Sequence, residues 1–276
     1  MSDQAQTRVG RGHPCFDAEA HDRVGRVHLP VAPRCNIQCN FCERRVCATV
    51  TGQHPGWARR LFTVEEAVAL VDSVVAEHKG PDFVVGVAGP GDPLANEETF
   101  ASLLAIHRRH PEIVKCISTN GLLLAERLPE LLAAGVSALT VTVNAASSEV
   151  AGQVYSRVRY HGQTYRGEEG AVLLLRKQIE GVKAALAAGF SVKVNTVLVP
   201  GVNDQHLPAL AMGLGRLGVG LMNVMPLIPA GKMRERRPPT CAELKSARDT
   251  CEAFVPQFRR CEQCRADTVV LPRMGL

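Results

Sequence analysis

Six short apolar runs, each followed by a turn and most by a longer amphipathic stretch, constrain this chain more than anything else in it. They occupy residues 27–31, 83–87, 113–118, 138–144, 192–199 and 220–225. Thr63 and Glu66 form a capping box opening a helix that runs to about His78. Asn96 is placed to cap a second helix through about His110, a third runs to Leu131 and stops near Gly135, and a fourth spans 170–188 before Gly189. Strands alternating with helices pair in parallel through right-handed crossovers. Six units fall short of the eight that close a TIM barrel, so the expected fold is α/β, a partial (βα)6 barrel of the TIM type. The barrel is expected over 25–228, with an N-terminal extension at 1–24 and a C-terminal one at 229–276.

Hydrophobic residues make up 46% of the 276, enough for a sizeable core, and with aromatics at 4% that core must be aliphatic. The net charge of +5 suits an anionic substrate or an acidic partner, without the clustered basic stripe that nucleic-acid binding requires. The run Lys232-Met233-Arg234-Glu235-Arg236-Arg237 reads as a solvated loop. The start, Met1-Ser2-Asp3-Gln4, lacks the apolar core of a signal peptide, and no stretch approaches the roughly 20 apolar residues of a membrane span. A cytoplasmic location is expected, with neither membrane nor nucleic acid as partner.

In that reducing compartment ten cysteines are metal ligands or buried thiols rather than disulfides. Cys35-x-x-x-Cys39-x-x-Cys42 follows the first strand, where barrel enzymes keep their chemistry. Three thiolates on one loop can ligate three irons of a cubane and leave the fourth open to a small molecule. The competing reading is zinc with Cys47 as fourth ligand, although zinc loops usually pair their cysteines two by two. Cys261-x-x-Cys264 reads as a second ligand pair. Cys241 and Cys251 read as structural, and His107, His110, His161 and His206 as surface residues.

The three-cysteine spacing, with Phe41 before the last cysteine, resembles the radical S-adenosylmethionine (SAM) superfamily. The turn Ala88-Gly89-Pro90-Gly91-Asp92-Pro93 resembles that superfamily's glycine-rich SAM-binding motif. His13-Pro14-Cys15, the stretches 31–42, 88–96 and 116–121, Val194-Asn195-Thr196, the stretches 200–204 and 223–227, and the tail 261–267 together resemble the NifB family of nitrogenase-cofactor biosynthesis proteins.

The resemblance implies a lyase-type radical SAM synthase using SAM and three [4Fe-4S] clusters. Two clusters would be fused with an added sulfur and a SAM-derived carbide into an [8Fe-9S-C] cofactor precursor, through methyl transfer and SAM cleavage. The implied catalytic set is Cys35, Cys39, Cys42 and Cys116. His13, Cys15, Cys261 and Cys264 would hold the first substrate cluster; His28, Cys47 and Cys116 would hold the second. Phe41, Gly89, Gly91, Asp92, Ser118, Thr142, Asn144, Val194 (through its backbone), Asn195 and Met225 would contact SAM. Iron–sulfur donors, carrier or scaffold proteins and an electron donor such as ferredoxin or flavodoxin would be the partners. One departure stands out: 47–56 lacks the Glu and Arg of the NifB pattern; if that carboxylate serves as a ligand or proton carrier, Glu43 or His54 must substitute, or the chemistry differs. Two other functions fit the same motifs. One is a radical SAM enzyme acting on a peptide or small molecule, with auxiliary clusters for electron transfer. The other is a non-enzymatic iron–sulfur carrier.

Overall fold

The computed structural model describes residues 12–78 and 82–272; the first eleven residues of the expected N-terminal extension and the last four of the C-terminal one lie outside the described residues. Val- and Ile-rich segments form the strands and alternate with helices. In chain order the first elements are β1 (Gly25–His28), α1 (Val64–His78), β2 (Phe83–Val87), α2 (Glu97–Arg109), β3 (Lys115–Thr119), α3 (Leu124–Ala133) and β4 (Val136–Thr142). They continue with α4 (Ser148–Val154), α5 (Gly167–Ala187), β5 (Ser191–Leu198), α6 (Leu207–Arg216), β6 (Leu221–Pro226), α7 (Cys241–Glu252) and β7 (Val269–Val270). The main sheet runs β6-β5-β4-β3-β2-β1-β7, parallel from β1 to β6, with β7 added antiparallel at the β1 edge. This is the curled, open half-barrel expected.

Successive strand residues face opposite sides, and the two sides differ in chemistry. Val27, Val85, Ile117, Leu139, Val141, Val192, Val194 and Val224 join Val71, Leu103, Leu131 and Leu214 of the helices in one aliphatic core. The opposite faces present Arg26, His28, Cys116, Ser118, Thr140, Thr142, Lys193 and Asn195 to the barrel interior. Parallel strands buried on both faces are ordinarily apolar throughout. The polar inner face departs from that pattern.

The capping box at α1 forms, with the Glu66 amide donating to Thr63 Oγ1 (3.2 Å) and the Thr63 amide to Glu66 Oε2 (2.9 Å). Asn96 departs from expectation. It occupies the cap position of α2 without capping it by its side chain. Its amide instead donates to Arg34 O and Asp92 O and accepts from Arg34 N.

Three features lay outside the sequence reading. A hairpin, Tyr155–Tyr160 with Gln163–Tyr165, pairs with the short strand Ile37–Cys39. The helix α4 leads into it, and α6 forms despite Pro208, Gly213 and Gly215 because proline is tolerated in a first turn. The 232–237 run is exposed as expected except for Met233, which is buried. Cys251 is buried and Cys241 exposed. His161 and His206 are exposed; His107 and His110 are half-buried, against the surface expectation, because they meet Lys115 and Asp72. Among the described residues no helix is long and apolar enough to cross a membrane.

Candidate functional site

The cysteine loop leaves β1 and is held by groups other than its sulfurs. Gln38 Nε2 donates to the carbonyls of Cys39 and Cys42, both at 3.0 Å, and is itself oriented by Arg44, whose Nη2 meets Gln38 Oε1 at 3.1 Å. Asn40 is tied through its amide to Gln153 O and through its carbonyl to the amide of Lys232 (2.7 Å). Cys35, Cys39 and Phe41 pack against a second apolar cluster containing Ile37, Tyr155 and Met233. Burial pushes the thiols up, Cys35 to about 12 with help from the Asp92 carboxylate. These are neutral thiols, so an iron ligand must displace their protons. Among the described residues no three His, Cys, Asp or Glu side chains close on a single-ion position. A cubane presents several irons, each to a different thiolate, and an all-sulfur loop fits that donor set.

The turn after β2 is welded to this loop. Gly91 N donates to Ala32 O (2.6 Å) and Asp92 N to Arg34 O (2.9 Å). A Cβ on Gly91 would stand 2.1 Å from Arg34 O, so the glycine is required by the loop's backbone. The buried Asp92 carboxylate accepts from Thr119 Oγ1 (2.9 Å), Asn120 N (2.6 Å) and Leu94 N (3.0 Å). Burial raises its pKa to about 6 against the pull of those donors. Asn120 continues the chain, donating to Asn36 Oδ1 at 2.6 Å and reaching 3.9 Å from Cys35 Sγ. Asp92 thus ties the turn to β3 and does not line the barrel cavity, nor do Gly89 and Gly91.

That cavity, of about 150 Å³, collects donors from both ends of the chain. His13 and Cys15 arrive from the N-terminal segment, His28 from β1, Cys116 from β3, and Cys261 and Cys264 from the tail. These are six of the seven residues expected to hold the substrate clusters. The ends are joined by Arg260, which pairs with Asp22 (2.6 Å), and by the β1–β7 ladder, extended by the His28 amide donating to Thr268 O. Cys47 is the exception. It lies off the cavity, its Sγ 3.2 Å from Thr49 Oγ1, and that contact lowers its pKa.

The two imidazoles present different faces. His28 Nδ1 lies 3.0 Å from Arg265 O and must donate to it, which leaves the neutral ring's lone pair on Nε2. His13 Nδ1 accepts from Cys15 N, so Nε2 carries the proton, buried and without a partner. Burial, then the nearby Lys193, lowers His13 to about 3.

Ser118, Thr142, Asn195 and Met225 line the same cavity, Met225 Sδ lying 3.7 Å from Cys261 Sγ. Phe41, Asn144 and Val194 do not. Asn144 is spent on Tyr155 OH and Val197 N, and the Val194 side chain faces the outer core. Glu43 is exposed, and His54 stacks on Trp57 and accepts from Gly56 N. Neither lines the cavity; the carboxylate that does belongs to Glu262, paired with Arg26 at 3.1 Å. Sequence reasoning missed Arg26, Lys193 and Glu262. The signal for the first two was a charged residue two positions from a polar one inside an apolar strand, Arg26-x-His28 and Lys193-x-Asn195.

Residues 29–212 match the Radical SAM superfamily. The FeMo cofactor biosynthesis protein NifB of Methanocaldococcus infernus is 46% identical, over 95% of this chain and 86% of the relative. That of Methanocaldococcus jannaschii is 45% identical over 95% and 87%. The Klebsiella pneumoniae NifB is 40% identical over 93% of this chain and 56% of its own length. Among solved structures, a radical SAM methyltransferase from Sphaerobacter thermophilus superposes with a TM-score of 0.53 at 21% identity, over 85% of this chain and 64% of the other. A structure of anSMEcpe with bound AdoMet gives 0.54 at 15%, over 74% and 49%. These two are likenesses of fold.

Proposed function

The chain belongs to the NifB family within the radical SAM superfamily, and on that premise we propose that it fuses two [4Fe-4S] clusters with a SAM-derived carbide and a further sulfur into the [8Fe-9S-C] precursor of the nitrogenase cofactor. Membership implies SAM and one [4Fe-4S] cluster as cofactors; the proposal adds two clusters as substrates, three in all. The barrel over 25–228 would do the SAM chemistry and hold one substrate cluster through His28, Cys47 and Cys116, and the extensions at 1–24 and 229–276 would supply His13, Cys15, Cys261 and Cys264 for the other. The protein would act as a lyase-type synthase in the cytoplasm, supplied by cluster donors and an electron donor and emptied by a carrier.

The observation that carries this reading is the convergence of His13, Cys15, His28, Cys116, Cys261 and Cys264 on one cavity. Two clusters that must merge need a shared chamber, and a product that must leave needs fewer than the full thiolate complement. When bound, the loop cluster supplies the electron that cleaves SAM to a 5′-deoxyadenosyl radical. Ser118, Thr142 and Asn195 offer hydroxyl and amide groups to the substrate side of the chamber. The Asp92 and Asn96 networks hold the glycine turn rigidly against the cysteine loop.

Anaerobic reconstitution with iron and sulfide tests this. About twelve irons per chain, four for each cubane, are expected, with both methyl transfer to cluster sulfide and 5′-deoxyadenosine formation. Four irons without methyl transfer would refute the proposal. A sharper variant is Gly86→Ala. A Cβ there would meet Cys116 Sγ at 3.0 Å and His28 Cδ2 at 3.4 Å, closing the gap between two expected ligands. The variant is expected to bind about four irons fewer while the loop cluster stays. An unchanged iron count would mean that His28 and Cys116 do not share a cluster.

A further inference from the structure

Two cations are buried in the wall of the same cavity. Lys193 is 2% exposed and Arg26 4%. Arg26 has a carboxylate partner in Glu262, though its Nε is unpartnered. Lys193 has no carboxylate within ion-pair distance among the described residues. Its Nζ donates to Cys15 O at 2.7 Å and sits 5.0 Å from the Phe16 ring centroid and 5.1 Å from that of Phe258.

Burying a charge without a counter-charge is costly, and such groups are normally paired or neutralised. The carboxylate that lines the cavity, Glu262, is already paired with Arg26. Three thiolates, from Cys15, Cys261 and Cys264, would more than offset the positive charge of a [4Fe-4S] core, so the first substrate cluster would be an anion.

We propose that Lys193, with Arg26 beside it, is the fixed counter-charge that retains the first substrate cluster, the one on His13, Cys15, Cys261 and Cys264, replacing by electrostatics part of the holding power that incomplete ligation lacks. This rests on the synthase reading above and deepens it. The position suits that cluster, since Lys193 Nζ sits on Cys15 O and its charge is felt at His13 and Cys15. Arg26 reaches Cys15 and Cys264 as well as His28. A cation is also non-directional, so it holds a cluster that moves or changes shape during fusion, which a fourth thiolate would not allow.

The test compares wild type, Lys193→Met and Lys193→Arg after anaerobic reconstitution. It reads iron per chain and the midpoint potentials of the clusters outside the cysteine loop, followed by electron paramagnetic resonance. The loop's own four irons serve as the control for folding. Lys193→Met is expected to hold the cluster on Cys15, Cys261 and Cys264 about tenfold more weakly. What it retains of that cluster should be harder to reduce by about 59 mV, the one-electron equivalent of a tenfold change, because a nearby cation favours the more negative oxidation state. Lys193→Arg should restore most of both. Unmoved potentials in Lys193→Met overturn the proposal. So does an Arg variant as defective as the Met one, or loss of the loop irons together with the others, either of which makes Lys193 a prop for the N-terminal segment. A wild type with only four irons would sink the synthase reading too, whereas a fully loaded wild type with an unaltered Met variant sinks this inference alone.

Discussion

A Cys39→Ala variant will form 5′-deoxyadenosine no faster than reduced buffer, a loss of at least about a thousandfold, or ~4 kcal/mol of barrier. The reason is that the effect isolates ligation from folding. Gln38, Arg44, Asn40 and Lys232 hold the loop through backbone carbonyls and amides, none of them through Cys39 Sγ. The strand Ile37–Cys39 keeps its pairing with Val158, Arg157 and Tyr155, which is a backbone matter. The variant should therefore retain wild-type circular dichroism while losing the loop cluster and the reaction that depends on it. Product chromatography under dithionite measures the outcome; turnover within tenfold of wild type would remove Cys39 from the catalytic set.

Gly91→Ala is expected to be as damaging by a different route, destabilising the metal-free chain by more than ~4 kcal/mol. The new Cβ would stand 2.1 Å from Arg34 O and 2.8 Å from Ala32 O, both backbone atoms that no rotamer change can move aside. Relieving the overlap means breaking the hydrogen bonds from Gly91 N and Asp92 N to the cysteine loop, each worth about 1 kcal/mol, and detaching the turn from the loop. Gly213→Ala is the matched control. It lies in α6 with nothing within 4 Å of the added methyl, and should be neutral or stabilising because alanine is the better helix former by about 1 kcal/mol. Denaturant midpoints of the two variants measure the contrast, and equal midpoints would mean that the turn and loop are not locked together.

The gap between expectation and structure has identifiable causes. Strands and long helices were legible because apolar period and capping chemistry are local; the Thr63–Glu66 box forms as its i to i+3 spacing implies. Asn96 looked like a cap for the same local reason, and lost that role to Arg34, 62 residues away in sequence, whose backbone offered its amide a buried set of partners. The hairpin at 155–165 was illegible because its partner is a three-residue strand within the cysteine loop, ending at Cys39. Cys47 was grouped with His28 and Cys116 from family resemblance; its Sγ lies 3.2 Å from Thr49 Oγ1, off the cavity that the other two line, a position set by the fold of its loop. Arg26 and Lys193 went unread because a charged residue in an apolar strand says nothing by itself about which face it occupies.

The chain alone determined an open parallel barrel, a three-cysteine loop after its first strand and a tail pair of cysteines, because strand period, helix caps and cysteine spacing are properties of a few consecutive residues. Only the tertiary fold decided that Cys15, Cys116 and Cys261 would meet around one cavity, and that two cations would be buried among them. Those meetings depend on contacts such as Lys193 with Cys15, 178 residues apart, and on β7 closing antiparallel on β1. The packing of the whole barrel brings such distant partners together, and no local pattern records it.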